Sequence, residues 1–138
     1  MIRRIDHVGV LVRSLEETLP LYTELLGLTA ETPVELPEQA VRVAFLHAGD
    51  GLIELLEPMT PDCVLARVLA KRGEGLLHIC LEVEDIEDTL GRLEAAGVAL
   101  VDRHAWRSPH GLVAFIHPGA FPGVSLELRQ WTGWGEGA

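Results

Sequence analysis

The chain repeats itself, and the repeat limits what it can fold into. Val43-Ala44-Phe45-Leu46-His47 returns as Val113-Ala114-Phe115-Ile116-His117 at an offset of 70 residues. His7, followed by Val8-Gly9-Val10-Leu11-Val12, returns as His78, followed by Ile79-Cys80-Leu81-Glu82-Val83, at an offset of 71. Ile53-Glu54-Leu55 returns as Leu126-Glu127-Leu128 at an offset of 73. One copy is too small to bury both faces of its own sheet, so the two copies must solve that problem together. Each copy also keeps one histidine and one glutamate.

Within the first copy, Ile5 to Val12 reads as a strand with Val8, Val10 and Val12 on one face and His7, Gly9 and Leu11 on the other. Ser14-Leu15-Glu16-Glu17 is a capping box that opens a helix with Leu15, Leu19, Tyr22 and Leu26 as its apolar stripe. Pro20 bends that helix and Gly27 ends it. After a loop from about Thr29 to Gln39, Ala40 to His47 and Leu52 to Leu56 read as strands around the turn Ala48-Gly49-Asp50-Gly51. Pro61 to Arg72 reads as a linking helix with Val64, Leu65, Val68 and Leu69 inward.

The second copy repeats the programme. Leu76 to Val83 is a strand, Asp85 caps a helix with Ile86, Leu90 and Leu93 inward, and Gly97 closes it. Val98 to Val101, Leu112 to His117 and Val124 to Leu128 read as strands. The expected class is therefore α+β: two tandem βαβββ modules whose curved mixed sheet surrounds a metal-binding cleft. A single domain is expected over residues 1–138, with module one at about 1–58, the linking helix at 61–72, module two at 74–130 and a loosely held tail at 131–138.

Bulk properties remove several function classes. The net charge of −10, with one lysine and ten arginines, argues against nucleic acid as a partner, because non-specific binding to it needs basic surface. No run of about 18 apolar residues is present, so no membrane partner is expected, and the first residues lack a secretory signal pattern. A cytoplasmic location is the expectation. Cys63 and Cys80 have no CxxC spacing and read as buried or pocket-lining apolar groups. Arg67, Lys71 and Arg72 read as a solvated helix face.

The duplication puts equivalent side chains at one axis, so His7, Glu54, His78 and Glu127 form the candidate constellation. Glu54 and Glu127 each stand between large aliphatic residues, alone on their strand face. Imidazole nitrogens and carboxylate oxygens suit a divalent ion such as cobalt, manganese, nickel, zinc or iron. Four protein ligands leave open positions on a five- or six-coordinate ion, which points to chemistry rather than to a structural site. His47 and His117 also repeat, but they end their strands beside Gly or Pro and read as structural. His104 and His110 sit in a loop with Trp106, Arg107, Ser108 and Pro109, with no assigned role.

These residues resemble the vicinal oxygen chelate superfamily and, within it, the methylmalonyl-CoA epimerase family. The resemblance runs from Ile5-Asp6-His7-Val8-Gly9 to Leu126-Glu127-Leu128 and is most specific at Glu38-Gln39-Ala40-Val41 and Ile53-Glu54-Leu55-Leu56-Glu57-Pro58. Lys71-Arg72-Gly73-Glu74-Gly75 before His78, and His110-Gly111 with Phe115-Ile116-His117-Pro118, are similar too. The resemblance implies metal ligation by His7, Glu54, His78 and Glu127, where the family often carries Gln at the position of Glu54. It implies an acyl-CoA substrate, a homodimer, and a 1,1-proton transfer that inverts the α-carbon through a metal-stabilised enolate. Glu38 and Glu127 match the family's acid/base pair. The chain departs from the family pattern at Leu77, at Gly119-Ala120-Phe121-Pro122 and at His104-Ala105-Trp106-Arg107. A glyoxalase-like lyase or isomerase acting on a thiol adduct, and a non-enzymatic small-molecule-binding protein of the same fold, stay open beside the epimerase.

Overall fold

Short-range signals set the start of the chain. The structure, a computed structural model, describes residues 1–132. After strand β1 (Ile2–Leu11), helix α1 (Leu15–Pro20) begins where extended Ser14 accepts the Glu17 N–H on its hydroxyl at 3.1 Å. Pro20 has no N–H to donate, and the helix widens there into a π-helical turn over Leu21–Leu25. Gly27, at φ +73°, ends it. The widening corrects one expectation: Leu26 is 67% exposed rather than inward. An extra residue in the turn rotates the downstream side chains by about 100°, and Leu28 joins the core instead.

The expected loop after Gly27 contains two short strands. β2 (Thr29–Ala30) and β3 (Val34–Leu36) pair antiparallel with β4 (Val41–Ala48). The turn from Leu36 to Ala40 between β3 and β4 is closed by Gln39 N–H to the Leu36 carbonyl at 3.1 Å. β4 folds back on β5 (Gly51–Pro58) through Gly49 and Asp50. Helix α2 (Val64–Arg72) starts later than Pro61, and Val64 is exposed rather than inward. Arg67 and Arg72 donate to the Asp62 and Leu76 carbonyls beyond its two ends.

In the second copy, β6 (Gly75–Val83) leads to α3 (Ile86–Ala95), capped by the Asp85 carboxylate accepting from Asp88 N–H at 3.0 Å. The expected strand Val98–Val101 reduces to a single bridge between Leu100 and Ile116. The expected loop at Trp106–Ser108 is instead a strand, β7, hairpinned to β8 (Gly111–Phe115) around Pro109 and His110. His110 takes φ +76° and Gly111 φ +145°. A Cβ at Gly111 would run into the Gln130 carbonyl and lie 2.9 Å from the Thr132 nitrogen. Gly111→Ala is therefore expected to destabilise the protein by about 2 kcal/mol or more, lowering the thermal midpoint by roughly 5–10 °C; an unchanged midpoint would contradict this packing. β9 (Ser125–Trp131) completes the copy, so Trp131 belongs to a strand rather than to a tail. Residues 133–138 of the expected tail lie outside the described residues.

Two compact units result, one of residues 7–77 and one of residues 1–6 with 78–132. Each holds a mixed sheet. In the first, β1 runs parallel to β5 and β4 antiparallel to β5; in the second, β6 runs parallel to β9 and β8 antiparallel to β9. The two cores match position by position. Val12, Leu15, Ala44, Leu46 and Leu55 pack together in one, and Val83, Ile86, Ala114, Ile116 and Leu128 in the other, each pair separated by the offsets of the repeat. Burying one such aliphatic side chain contributes about 1.5–3 kcal/mol, so the repeated sequence is mostly a repeated core. The architecture is α+β. Among the described residues, no helix is long and apolar enough to cross a membrane.

Candidate functional site

Strand register determines where each histidine and glutamate fall. In the first unit Gly9 pairs with Glu54, and His7 is two residues before Gly9. Alternation then puts His7 and Glu54 on one face as diagonal neighbours. His7 Nε2 lies 3.2 Å from Glu54 Oε1, and both residues are buried. The opposite face, carrying Val10, Val12, Ile53 and Leu55, packs on α1. The histidine thus points away from the helix, as the alternation predicts.

The second unit builds the same geometry. Cys80 pairs with Glu127, two residues after His78. His78 Nε2 lies 3.2 Å from Glu127 Oε1, with both side chains buried. An aromatic ring completes each pair. Phe45 pairs with Glu54 across β4 and β5, and Phe115 with Glu127 across β8 and β9. The Phe45 ring meets His7 edge-on at 5.7 Å and 82°, and Phe115 meets His78 at 5.9 Å and 85°. Both phenylalanines belong to the repeated pentapeptide, and their place in that repeat is the sequence signal that marks them as part of the site.

Each half thus sets a buried imidazole nitrogen and a buried carboxylate oxygen 3.2 Å apart, donors of the kind that bind a divalent metal ion. Burying a carboxylate is costly without a compensating charge or donors, and in each half the carboxylate and imidazole are donor types that a divalent cation accepts. The donor chemistry fits such an ion.

The remaining candidates take other places. Glu38 is exposed in the turn between β3 and β4; the β4 residue paired with Glu54 is Phe45, further along that strand. His47 Nε2 lies 3.0 Å from Glu31 Oε2, and His117 Nδ1 accepts the Gly119 N–H at 3.0 Å; both serve local structure. Glu87 ties the segment before β7 to α3: it accepts the Ala105 N–H at 2.8 Å and lies 3.0 Å from His104 Nδ1. These two contacts, that of Ala105 first, hold the Glu87 carboxyl below its ordinary range. His110 is buried and stacks on Trp131 at 4.8 Å and 11°. Cys63 is half-buried before α2, and Cys80 is fully buried.

Comparison with known proteins gives a consistent result. A family model described as Glyoxalase/Bleomycin resistance protein/Dioxygenase superfamily matches residues 6–115. The chain is 36% identical over 129 residues to the mitochondrial methylmalonyl-CoA epimerase of Bos taurus, covering 92% of this chain and 74% of that one. It is 36% identical over 133 residues to the ethylmalonyl-CoA/methylmalonyl-CoA epimerase of Cereibacter sphaeroides, covering 94% and 99%. Among solved structures, the methylmalonyl-CoA epimerase from Mycobacterium tuberculosis superposes with a TM-score of 0.90 at 30% identity, over 96% of this chain and 90% of that one. A methylmalonyl-CoA epimerase in complex with methylmalonyl-CoA and NH4+ superposes with a TM-score of 0.91 at 29% identity, over 97% and 98%.

Proposed function

This chain belongs to the Glyoxalase/Bleomycin resistance protein/Dioxygenase superfamily and, within it, to the methylmalonyl-CoA epimerase family of enzymes; from that premise we propose that it inverts the α-carbon of methylmalonyl-CoA by a metal-dependent 1,1-proton transfer. The observation that carries the reading is the repeated His–Glu pair, 3.2 Å apart in both units. His7, Glu54, His78 and Glu127 would together hold one divalent ion, and the two units would act as a single domain. Such an ion, cobalt, manganese, nickel or zinc, would stabilise the negative charge that develops on the thioester oxygen as the α-proton leaves.

The rest falls to the chain's own residues. Inversion needs proton carriers on opposite faces of a planar carbon. Glu127, buried and beside His78, takes the proton on one face; Glu38, on the turn ahead of β4, serves the other. Phe45 and Phe115 keep water from the imidazole edges, which strengthens every electrostatic interaction nearby. A cytoplasmic homodimer belongs to the same reading.

The test is proton exchange. The protein, loaded with cobalt, is incubated with (2R)- and (2S)-methylmalonyl-CoA in deuterated water, and deuterium at the α-carbon is followed by mass spectrometry. Incorporation into both epimers is expected; its absence from both rejects the reading.

A further inference from the structure

The two copies differ in charge at one cross-strand pair of their parallel strands. Leu11 and Leu56, both buried, face each other on β1 and β5 in the first unit. The equivalent pair on β6 and β9 is Glu82 and Arg129. Arg129 is 1% exposed and Asp6, which it meets with Nε at 3.3 Å from Oδ2, is 0% exposed. Asp6 also accepts the Trp131 indole N–H at 2.6 Å and faces Arg4 Nη2 at 3.4 Å. Arg4 Nε in turn donates to Glu82 at 2.6 Å, and the Arg129 guanidinium donates to the Pro109 carbonyl.

The buried centre of the cluster, Arg129 with Asp6, is a matched pair with no excess charge to capture an anion, while Arg4 and Arg3, the latter with Nη1 3.8 Å from Glu82 Oε2, lie at its exposed rim. Nor does stability account for it. A buried ion pair gives little or nothing over well-packed apolar groups of similar size, and the first copy fills the same place with two leucines. The network's place in the chain ties it to two of the proposed ligands. Asp6 immediately precedes His7, and Arg129 comes after Glu127 by one full strand repeat, on the same face of β9.

We infer that Asp6, Arg129 and Trp131 are positioning residues that fix the backbone carrying His7 and Glu127 in the orientation a metal ion requires. The inference rests on the metal-dependent reading above. Groups that orient the first ligands typically govern metal affinity by 10- to 100-fold, through geometry rather than through contact with the ion.

The whole chain and the double variant Asp6→Asn/Arg129→Leu are compared for cobalt(II) binding by equilibrium dialysis and visible absorbance, and for the thermal midpoint of the metal-free protein. Removing both charges leaves no unpaired buried ion, and the substituted amide keeps an acceptor for Trp131. The expected result is a Kd raised about 10- to 100-fold, with altered cobalt absorbance and a metal-free midpoint within about 5 °C of the parent. Equal affinity and spectrum in the two proteins overturn the inference while the metal-dependent reading stands. A weaker Kd accompanied by a large fall in the metal-free midpoint also overturns it, assigning the network to folding. Failure of the parent chain to bind cobalt overturns both.

Discussion

For Glu127→Gln, the rate of α-proton exchange is expected to fall by about 10³-fold or more. General acid–base groups contribute roughly 10²–10⁴-fold, and this residue is assigned a ligand role besides. The repeat provides an internal control. Glu54 stands in the same 3.2 Å relation to its histidine, but the proposed reaction gives it no proton to carry. Glu54→Gln keeps an oxygen donor and is expected to cost about tenfold in kcat/KM, the low end of what disturbing a metal ligand's supporting groups costs. Cobalt content measured on both variants separates ligand loss from base loss. If the two substitutions reduce turnover equally, Glu127 is a ligand alone and the assigned proton carrier lies elsewhere.

Glu38→Gln is expected to abolish inversion, with a fall of about 10²–10⁴-fold, and to leave metal binding at the parent level, since Glu38 is exposed and lies off the strands that carry the ligands. Its signature is stereochemical. With Glu127 intact, one epimer continues to exchange its α-proton with solvent while conversion to the other stops. A general loss of exchange from both epimers would mean instead that Glu38 orders the substrate. Near-normal inversion would remove it from the mechanism and favour a reaction carried by ligand carboxylates alone.

The repeat makes both the cores and the ligand pairs legible in the sequence. Strands read from alternation agree with the structure to within modest shifts, and the Ser14 and Asp85 caps and the Gly27 and Gly97 stops lie where expected, because each depends on local chemistry. The departures share a different origin. β2, β3 and β7 span two or three residues, too short for a period to show, and exist because β4 and β8 offer them backbone partners. Leu26 leaves the apolar stripe because a π-helical turn changes the angular period that places side chains. Arg129 carries a signal of its own: the offset that matches Glu54 to Glu127 also matches Leu56 to Arg129, and a charge in place of a buried leucine marks where the copies part.

The parallel pairing of β1 with β5, and of β6 with β9, also bears on how the protein is made. His7 and Glu54 are 47 residues apart, and His78 and Glu127 are 49, so neither pair exists until a long loop has closed and its crossover helix has docked. Such non-local contacts form late and slowly in folding. An ion that binds there would therefore act on the final steps of folding, slowing unfolding more than it speeds assembly. A peptide spanning either histidine alone would have no comparable affinity. On the proposed metal-dependent reading, metal supply during synthesis would then help determine how long the folded enzyme survives.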